Sequence, residues 1–301
     1  MVSNPSLKRS ADGRPPGPGL RPILRLLYSA PCRWRPLSSN VRRRKAMFPH
    51  SSSIIQIFVW TAKAPRPSPA GSAVLVEMLD EAFLLTAAHV IDHHRTGYLC
   101  IPSQKGTSQF AGGMGFNNLL PGTNRRDDNF DAGFMKPLVE PAFAIPADYR
   151  PVPRRDIDLE GRATPGELCL VSGFPLSPAR VKNRPDGIHA SRLAFVGETF
   201  DDDRYDKLGY DRAATILLNY DRKRSPSPTG EKAPSPRGMS GGGVFRITAD
   251  ASGQVILSSK LIGIMHAYHE SESCFAATRI PYVLRLVHEK FPNHARAFID
   301  A

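Results

Sequence analysis

Short runs of apolar residues, separated by turn-forming residues, follow one another along the chain from residue 53 onward. The runs are rich in β-branched or aromatic residues and are bounded by Gly, Pro, Asp and Ser, which is the pattern of β-strands. Because almost no helical period separates them, they predict an all-β fold, either a sandwich or closed barrels. The runs occupy residues 54–60, 72–79, 82–87, 167–174, 192–200, 213–221, 243–249 and 260–268.

Two segments depart from this pattern. In "IPYVLRLVHEKFPNHARAFI" (280–299), apolar residues recur with the spacing of one helix face. We therefore predict an amphipathic C-terminal helix at about 281–299. The Pro-rich stretch at 223–238 predicts a surface loop between two strands.

The beginning of the chain differs in composition from the rest. Residues 1–50 contain eleven basic residues and one acid, which is +10 of the net charge of +12. Few residues in 1–46 could cover a core, so we predict a disordered, basic, Pro- and Arg-rich leader. If translation starts at Met47 instead, the leader is an artefact of gene prediction and is absent from the protein. Nucleic acid or another anionic surface is an expected partner only through this leader.

Cysteine usage and hydropathy indicate the compartment. The four cysteines, at positions 32, 100, 169 and 274, show no CxxC pair and no short spacing. This is not a disulfide framework, and it favours a reducing compartment in which the thiols act as small hydrophobes. No apolar run approaches the roughly 18 residues of a membrane span. The sequence therefore predicts a cytoplasmic protein without a transmembrane segment or a signal peptide.

Three segments contain residues that together form a known catalytic arrangement. "RGMSGGGVF" (237–245) surrounds Ser240 with glycines, "LLTAAHVID" contains His89, and "DDNFDAGFMKP" contains Asp131. A serine hydroxyl becomes a nucleophile when a histidine takes its proton, and a carboxylate fixes the tautomer of that histidine. Backbone N–H groups of a tight glycine turn can bind the oxyanion that forms during acyl transfer.

These segments, in the order His, Asp, Ser, resemble the trypsin-like (chymotrypsin-fold) serine proteases over about residues 50–290. The resemblance implies that His89 is the general base, Asp131 its orienting carboxylate and Ser240 the nucleophile. Gly238 and Ser240 match the oxyanion-hole donors. The "G-x-S-G-G" variant and the lack of paired cysteines look more like the bacterial branches of the family than the secreted animal ones.

The resemblance also implies the architecture and the reaction. We expect a protease domain at 47–301, with two packed antiparallel six-stranded β-barrels at about 50–145 and 160–280. The expected activity is that of a serine endopeptidase, which cleaves a protein or peptide substrate through an acyl-enzyme. Neither a metal nor an organic cofactor is implied.

Alternatives exist for two of the three residues. Asp127 and Asp128 compete with Asp131, although only Asp131 leads into an apolar run. His89 and His93, at i and i+4, could mimic a metal pair, but no third ligand is near them in sequence.

Two other readings concern the whole protein. Residues 238–242 also match the G-x-S-x-G motif of the nucleophile elbow in α/β-hydrolases. That elbow requires a strand before the serine and a helix after it. Here a Pro-rich loop precedes the serine and a strand-like run follows it. The alternative outside enzymes is a catalytically silent, protease-like module that holds peptides in the cleft.

The pocket for the substrate side chain departs from the family pattern. The residue six before the nucleophile, a carboxylate in trypsin, is Pro234 here, and Met239 replaces the Asp that pairs with a cleaved N-terminus in animal members. "GIMHAY" resembles the strand that lines the pocket, which assigns His266, Ala267 and Tyr268 to that lining. Tyr268 lies near a position often held by glycine, so we expect a narrow pocket for small or apolar residues.

Overall fold

The computed structural model describes residues 48–292, with gaps at 79, 104–105, 120–121, 126–127, 139–144, 177–180, 185–186, 191, 201–202, 221–234 and 250–255. The leader at 1–46 lies outside the described residues, as does the predicted helix beyond residue 292.

Seven strands build the first sheet, and each pairs antiparallel with its neighbours. They are β1 (Ile54–Trp60), β2 (Ser68–Met78), β3 (Glu81–Thr86), β4 (Tyr98–Ser103), β5 (Gly106–Gln109), β6 (Gly112–Phe116) and β7 (Gly133–Pro137). Their spatial order is β5-β4-β1-β2-β3-β7-β6.

The first sheet closes because β5 and β6 are one run of chain that bends at Phe110 and Ala111. The Phe110 N–H donates to the Leu99 carbonyl in β4 at 2.7 Å. On the other side of the bend, the Leu138 N–H, just after β7, donates to the Ala111 carbonyl at 2.9 Å. If this bent run is taken as one strand, the barrel has the six strands that were expected.

Six strands build the second sheet. They are β8 (Leu168–Gly173), β11 (Leu193–Glu198), β12 (Thr215–Asn219), β13 (Gly243–Ala249), β14 (Ile256–His269) and β15 (Cys274–Arg279), in the order β11-β8-β13-β14-β15-β12. An antiparallel bridge between Thr199 and Leu218 joins the two outer strands and closes this barrel. A separate hairpin consists of β9 (Val181–Arg184) and β10 (Gly187–Ala190).

Three α-helices lie among the described residues: α1 (Ala88–Asp92), α2 (Asp203–Leu208) and α3 (Ile280–Lys290). In α3, Pro281 lies in the first turn, where a missing N–H costs nothing. The helix contacts strands of both barrels through its buried apolar face. None of the described helices is long and apolar enough to cross a membrane.

The largest apolar cluster lies between the barrels. It contains Val74 and Phe134 from the first barrel, Leu170 and Phe245 from the second, and Val283 from α3. Each barrel also has its own interior cluster. Because successive residues of a strand face opposite sides, strands between two clusters are apolar on both faces. This explains the continuous apolar runs of the sequence and confirms the all-β, two-barrel fold with a C-terminal helix.

Candidate active site

His89 lies in the first turn of α1, directly after β3. Ala87 and Ala88, which precede it, are fully buried, and their small side chains let the helix begin tightly against the barrel. The His89 side chain is 34% exposed, so its ring is accessible from the surface. A short, well-anchored helix therefore presents the imidazole.

Asp131 lies at the end of a turn that leads into β7, and it is only 3% exposed. One carboxylate oxygen accepts the backbone N–H of His89 at 2.9 Å, and the other bonds Nδ1 of the same ring. Burial alone raises the pKa of Asp131, but the hydrogen bonds and charge of His89 outweigh burial, and the pKa lies below its usual value. The carboxylate therefore stays ionised and fixes the Nδ1 side of the imidazole.

Glycines shape the turn that carries Ser240. Gly238 has φ +88° and Gly241 has φ +83°, a backbone region that other residues rarely adopt. A side chain at Gly238 would overlap Leu176, and one at Gly241 would overlap the carbonyl of Ser72. Both the backbone angles and the close packing therefore require glycine.

The backbone N–H groups of this turn divide into bonded and free donors. Those of Met239, Gly241 and Gly242 donate to backbone carbonyls at 3.0, 2.7 and 2.8 Å. Those of Gly238 and Ser240 have no acceptor among the described residues. Two donors, two residues apart, are therefore available in one turn.

The orientation of the first of these donors follows from its neighbour. The carbonyl of Arg237 accepts the N–H of Leu176 at 2.8 Å. In a trans peptide the carbonyl and the following N–H point in opposite directions. The Gly238 N–H therefore points away from Leu176.

Ser240 lies where the two barrels meet. Its carbonyl accepts the Ser72 N–H at 2.7 Å, and a Cβ built on Gly71 would lie 3.0 Å from that carbonyl and 2.6 Å from Val90. Since Val90 follows His89, the serine turn and the His89 helix converge here. The Ser240 hydroxyl donates to the His266 carbonyl at 3.3 Å and, within the described part of the chain, makes no hydrogen bond to His89.

His266 lies behind the site rather than on its surface. It is 5% exposed, and its ring packs edge-on against Tyr210 at 5.8 Å between centroids. Burial lowers its pKa to about 4, partly offset by the nearby charge of Asp131, so the ring is neutral at physiological pH. Its Nε2 has no hydrogen-bond partner among the described residues.

The other expected pocket residues differ in their surroundings. Tyr268 packs its ring against Phe275, its partner on β15, and against Tyr220 at 5.6 Å. Ala267 packs with a separate small cluster that includes Tyr210. Pro234 lies outside the described residues. Aromatic side chains therefore fill the interior of the second barrel beside the serine turn.

The residues that compete with the expected triad have other contacts. Asp128 bonds Arg125 at 2.7 Å and the Asn117 side-chain amide at 2.7 Å, whereas Asp127 lies outside the described residues. No group of three or more His, Cys, Asp or Glu side chains that could hold a metal ion occurs in the described ranges. The segment after Ser240 continues into β13, not into the helix of an α/β-hydrolase elbow.

Sequence reasoning missed the set of polar residues that packs behind His89 and Asp131. Arg125 and Asn117 are its central members, and both are buried or nearly so. The only signal in the sequence is an arginine among the acids of "NRRDDNFD".

The class that the fold defines is the two-barrel, chymotrypsin-like fold of the trypsin-like serine proteases. No protein-family model matches the chain, and no curated protein matches it by sequence. Among solved structures, the chain is similar to neuropsin, a serine protease expressed in the limbic system of mouse brain, at 15% identity and a TM-score of 0.52. The match covers 81% of this chain and 96% of that chain. At this identity the similarity establishes the fold alone.

Proposed function

We propose that the protein is a serine endopeptidase that hydrolyses peptide bonds through an acyl-enzyme on Ser240. The observation that carries the proposal is the His89–Asp131 pair, in which one buried carboxylate accepts both the backbone and the ring N–H of one histidine. An ordinary surface ion pair does not require a carboxylate to bond both the backbone and the ring of its partner. A carboxylate that orients a catalytic base requires both contacts, because it must fix the position and the tautomer of that base.

In the first step, Nε2 of His89 takes the proton of the Ser240 hydroxyl as Oγ attacks the scissile carbonyl carbon. The imidazolium that forms is stabilised by the ionised Asp131. The carbonyl oxygen becomes an oxyanion, and the free N–H groups of Gly238 and Ser240 are the donors available to it.

In the second step, the tetrahedral intermediate collapses and the C–N bond breaks. His89 gives its proton to the leaving amine, which leaves the acyl group on Ser240. A water molecule then attacks the ester carbonyl carbon while His89 takes one of its protons. The second tetrahedral intermediate collapses as the bond between the acyl carbon and Oγ of Ser240 breaks, His89 returns its proton to Oγ, and the acid product leaves.

The second barrel offers an edge on which an extended peptide could lie. On β14, pairing with β13 extends only to Ile264, whereas pairing with β15 continues to His269. Residues 266–269 therefore have a strand partner on one side only among the described residues. A peptide added at such an edge gains backbone hydrogen bonds, and side-chain pockets provide its specificity. The aromatic rings of Tyr268 and Phe275 favour a small side chain beside the serine turn.

One observation favours the alternative of a silent, peptide-holding module. The Ser240 hydroxyl donates to the His266 carbonyl instead of to the His89 ring. Catalytic hydrogen bonds are often long or poorly aligned before substrate binds, and rotation about χ1 redirects a hydroxyl. The intact set of His89, Asp131 and Ser240 therefore favours the enzyme.

Three finer parts of this proposal rest on composition. The bacterial-type branch is proposed from the "G-x-S-G-G" variant and from the lack of paired cysteines, since Cys100, Cys169 and Cys274 are free among the described residues. Burial raises the pKa of Cys100 to about 11, which keeps that thiol protonated, as expected of a small buried hydrophobe. The cytoplasmic location and the binding of polyanions by the leader stay predictions.

Labelling by a fluorophosphonate tests the function without knowledge of the substrate. We expect the wild-type chain to be labelled and Ser240→Ala to be silent, with His89→Ala nearly silent because the hydroxyl lacks its base. Equal labelling of wild type and Ser240→Ala would refute the assignment. A wild-type chain that binds peptides but is never labelled would support the silent module.

A further inference from the structure

We propose that Arg125 is a positioning residue that fixes His89 relative to Asp131 from behind the site. This inference rests on the proposed function, since it concerns the same catalytic pair. Among the described residues, Arg125 contacts Asp92, Asp128, Asn117 and the Phe116 ring rather than the expected triad.

Arg125 joins the two segments that carry the pair. Its Nε donates to Asp92 at 2.9 Å, and its Nη1 donates to Asp128 at 2.7 Å. Asp92 ends α1, three residues after His89, and Asp128 lies three residues before Asp131. One guanidinium therefore links the helix of the base to the loop of its carboxylate.

Asn117, just after β6, ties this link to the barrel. Its carbonyl and its side-chain oxygen accept Nη1 of Arg125 at 3.1 and 3.2 Å. Its side-chain amide donates to Asp128 at 2.7 Å, and its backbone N–H donates to Ala132 at 3.1 Å. Because Ala132 follows Asp131, the loop is held on both sides of the carboxylate.

The environment makes this link rigid. The side chains of Arg125 and Asp128 are only 12% and 10% exposed, and the guanidinium lies over the Phe116 ring at 5.6 Å. Burial lowers the pKa of Arg125, but the hydrogen bonds to Asp92 and Asp128 outweigh burial and raise it overall, so the charge is kept. The guanidinium donates from two different nitrogens to carboxylates on two different segments, a planar geometry that a lysine ammonium cannot reproduce.

The consequence concerns the geometry of catalysis. His89 and Asp131 belong to chain segments 42 residues apart, and their direct hydrogen bonds are made only if α1 and the loop keep their spacing. A misplacement of about 1 Å at a catalytic group can cost about a hundredfold in rate. Loss of the fork should therefore weaken the His89–Asp131 contact without removing either residue.

The test compares Arg125→Lys with wild type, and with Arg246→Lys as a matched control. Arg246 on β13 makes an ion pair with Asp158, which precedes the second barrel, and this pair includes neither α1 nor the Asp131 loop. We expect Arg125→Lys to slow fluorophosphonate labelling about ten- to a hundredfold, and to move the acid limb of the pH–rate profile to lower pH. The limb moves because a looser Asp131 stabilises the imidazolium less. The control should lower the melting temperature but change neither the rate nor the profile.

A second variant and a spectroscopic measurement separate position from folding. Asp92→Asn removes one charge of the link and should produce a smaller change in the same direction. Asp131, His93 and His266, whose charges interact with that of His89, are unchanged in every variant. Asp92→Asn also removes a charge from α1, so Arg125→Lys, which keeps the charge, is the primary test. The downfield proton NMR line of the His89 Nδ1–H should shift or broaden in Arg125→Lys and stay in place in Arg246→Lys.

The outcomes distinguish this inference from the proposed function. Labelling of Arg125→Lys at the wild-type rate, with the same pH profile and NMR line, would overturn the positioning role. A wild-type chain that is not labelled would contradict the hydrolase, while the NMR line would still test whether Arg125 positions His89.

Discussion

Replacement of Asp131 by asparagine is the sharpest single perturbation of the proposed site, because it changes one atom of a buried group. The remaining side-chain oxygen can still accept the backbone N–H of His89, which wild-type Asp131 accepts at 2.9 Å. The new NH₂ group then faces Nδ1 and can only donate to it. Nδ1 must therefore accept, and the ring proton moves to Nε2, where it blocks transfer from Ser240.

The size of the two expected effects differs enough to separate them. The wrong tautomer is expected to slow the reaction about 10⁴-fold, which corresponds to about 5.4 kcal/mol of transition-state stabilisation. Loss of hydrogen bonds to a charged group costs about 1.5–3 kcal/mol of folding stability. Most domains have about 5–15 kcal/mol, so the variant should stay folded while it is nearly inactive.

The assay is the rate of fluorophosphonate labelling, measured beside a thermal melt of the same sample. Asp158→Asn is a suitable control, because Asp158 is also mostly buried and pairs with Arg246 in the second barrel. We expect the control to lose stability and to keep its labelling rate. An Asp131→Asn chain that labels at nearly the wild-type rate would refute the reasoning and would move the role to Asp127 or Asp128.

Three further predictions concern the turn, acid stability and the N-terminus. Gly241 and Gly166 both have φ +83°, but an added Cβ would overlap neighbouring atoms only at Gly241. In thermal melts, Gly241→Ala should therefore destabilise the fold several times more than Gly166→Ala. Equal losses of stability would contradict the role of close packing. Burial lowers the pKa of His266 to about 4. Between about pH 6.5 and pH 4, this histidine is therefore protonated in the unfolded chain but neutral in the folded chain. Stability should then fall by up to about 1.4 kcal/mol per pH unit, and His266→Gln should lose this part of the slope in denaturant titrations; an unchanged slope would contradict it. Since Met239 is fully buried and uncharged, it cannot pair with a new N-terminus, so a chain starting at Met47 should label at the same rate with and without an added N-terminal tag; labelling only after cleavage would be the contrary result.

The strands that sequence analysis predicted are those whose apolar residues are buried on both faces. The runs at 54–60 and 243–249 coincide with β1 and β13, which lie between apolar clusters. The sequence analysis also missed β4, although its segment "YLCIPS" is apolar and buried. Other missed strands have weak local signals. β5 and β6 contain mainly Gly, Ser and Thr, and β15 is "CFAATR", which is buried through small residues. Pairing with neighbours, which the local sequence does not encode, makes these segments strands.

The candidate site divides in the same way. Short motifs gave His89 and Ser240, because a tight turn and a short helix start are local features. The position of His266 behind Asp131 depends on a bulge in the pairing of β14 with β15, and the Arg125 link depends on contacts between segments 33 residues apart. Neither is visible in a periodicity or a motif. Sequence therefore indicates the chemistry of the site, whereas the contacts that hold it appear only in the fold.

The most direct test of the central claim is the detection of the acyl-enzyme itself. The chain is mixed with an activated ester of a small acyl group, quenched in acid and analysed by peptide mass spectrometry. We predict one acyl group on the peptide that contains Ser240, absent in Ser240→Ala and lost on return to neutral pH as the ester hydrolyses. An acyl group on another residue, or equal acylation of Ser240→Ala, would contradict Ser240 as the nucleophile.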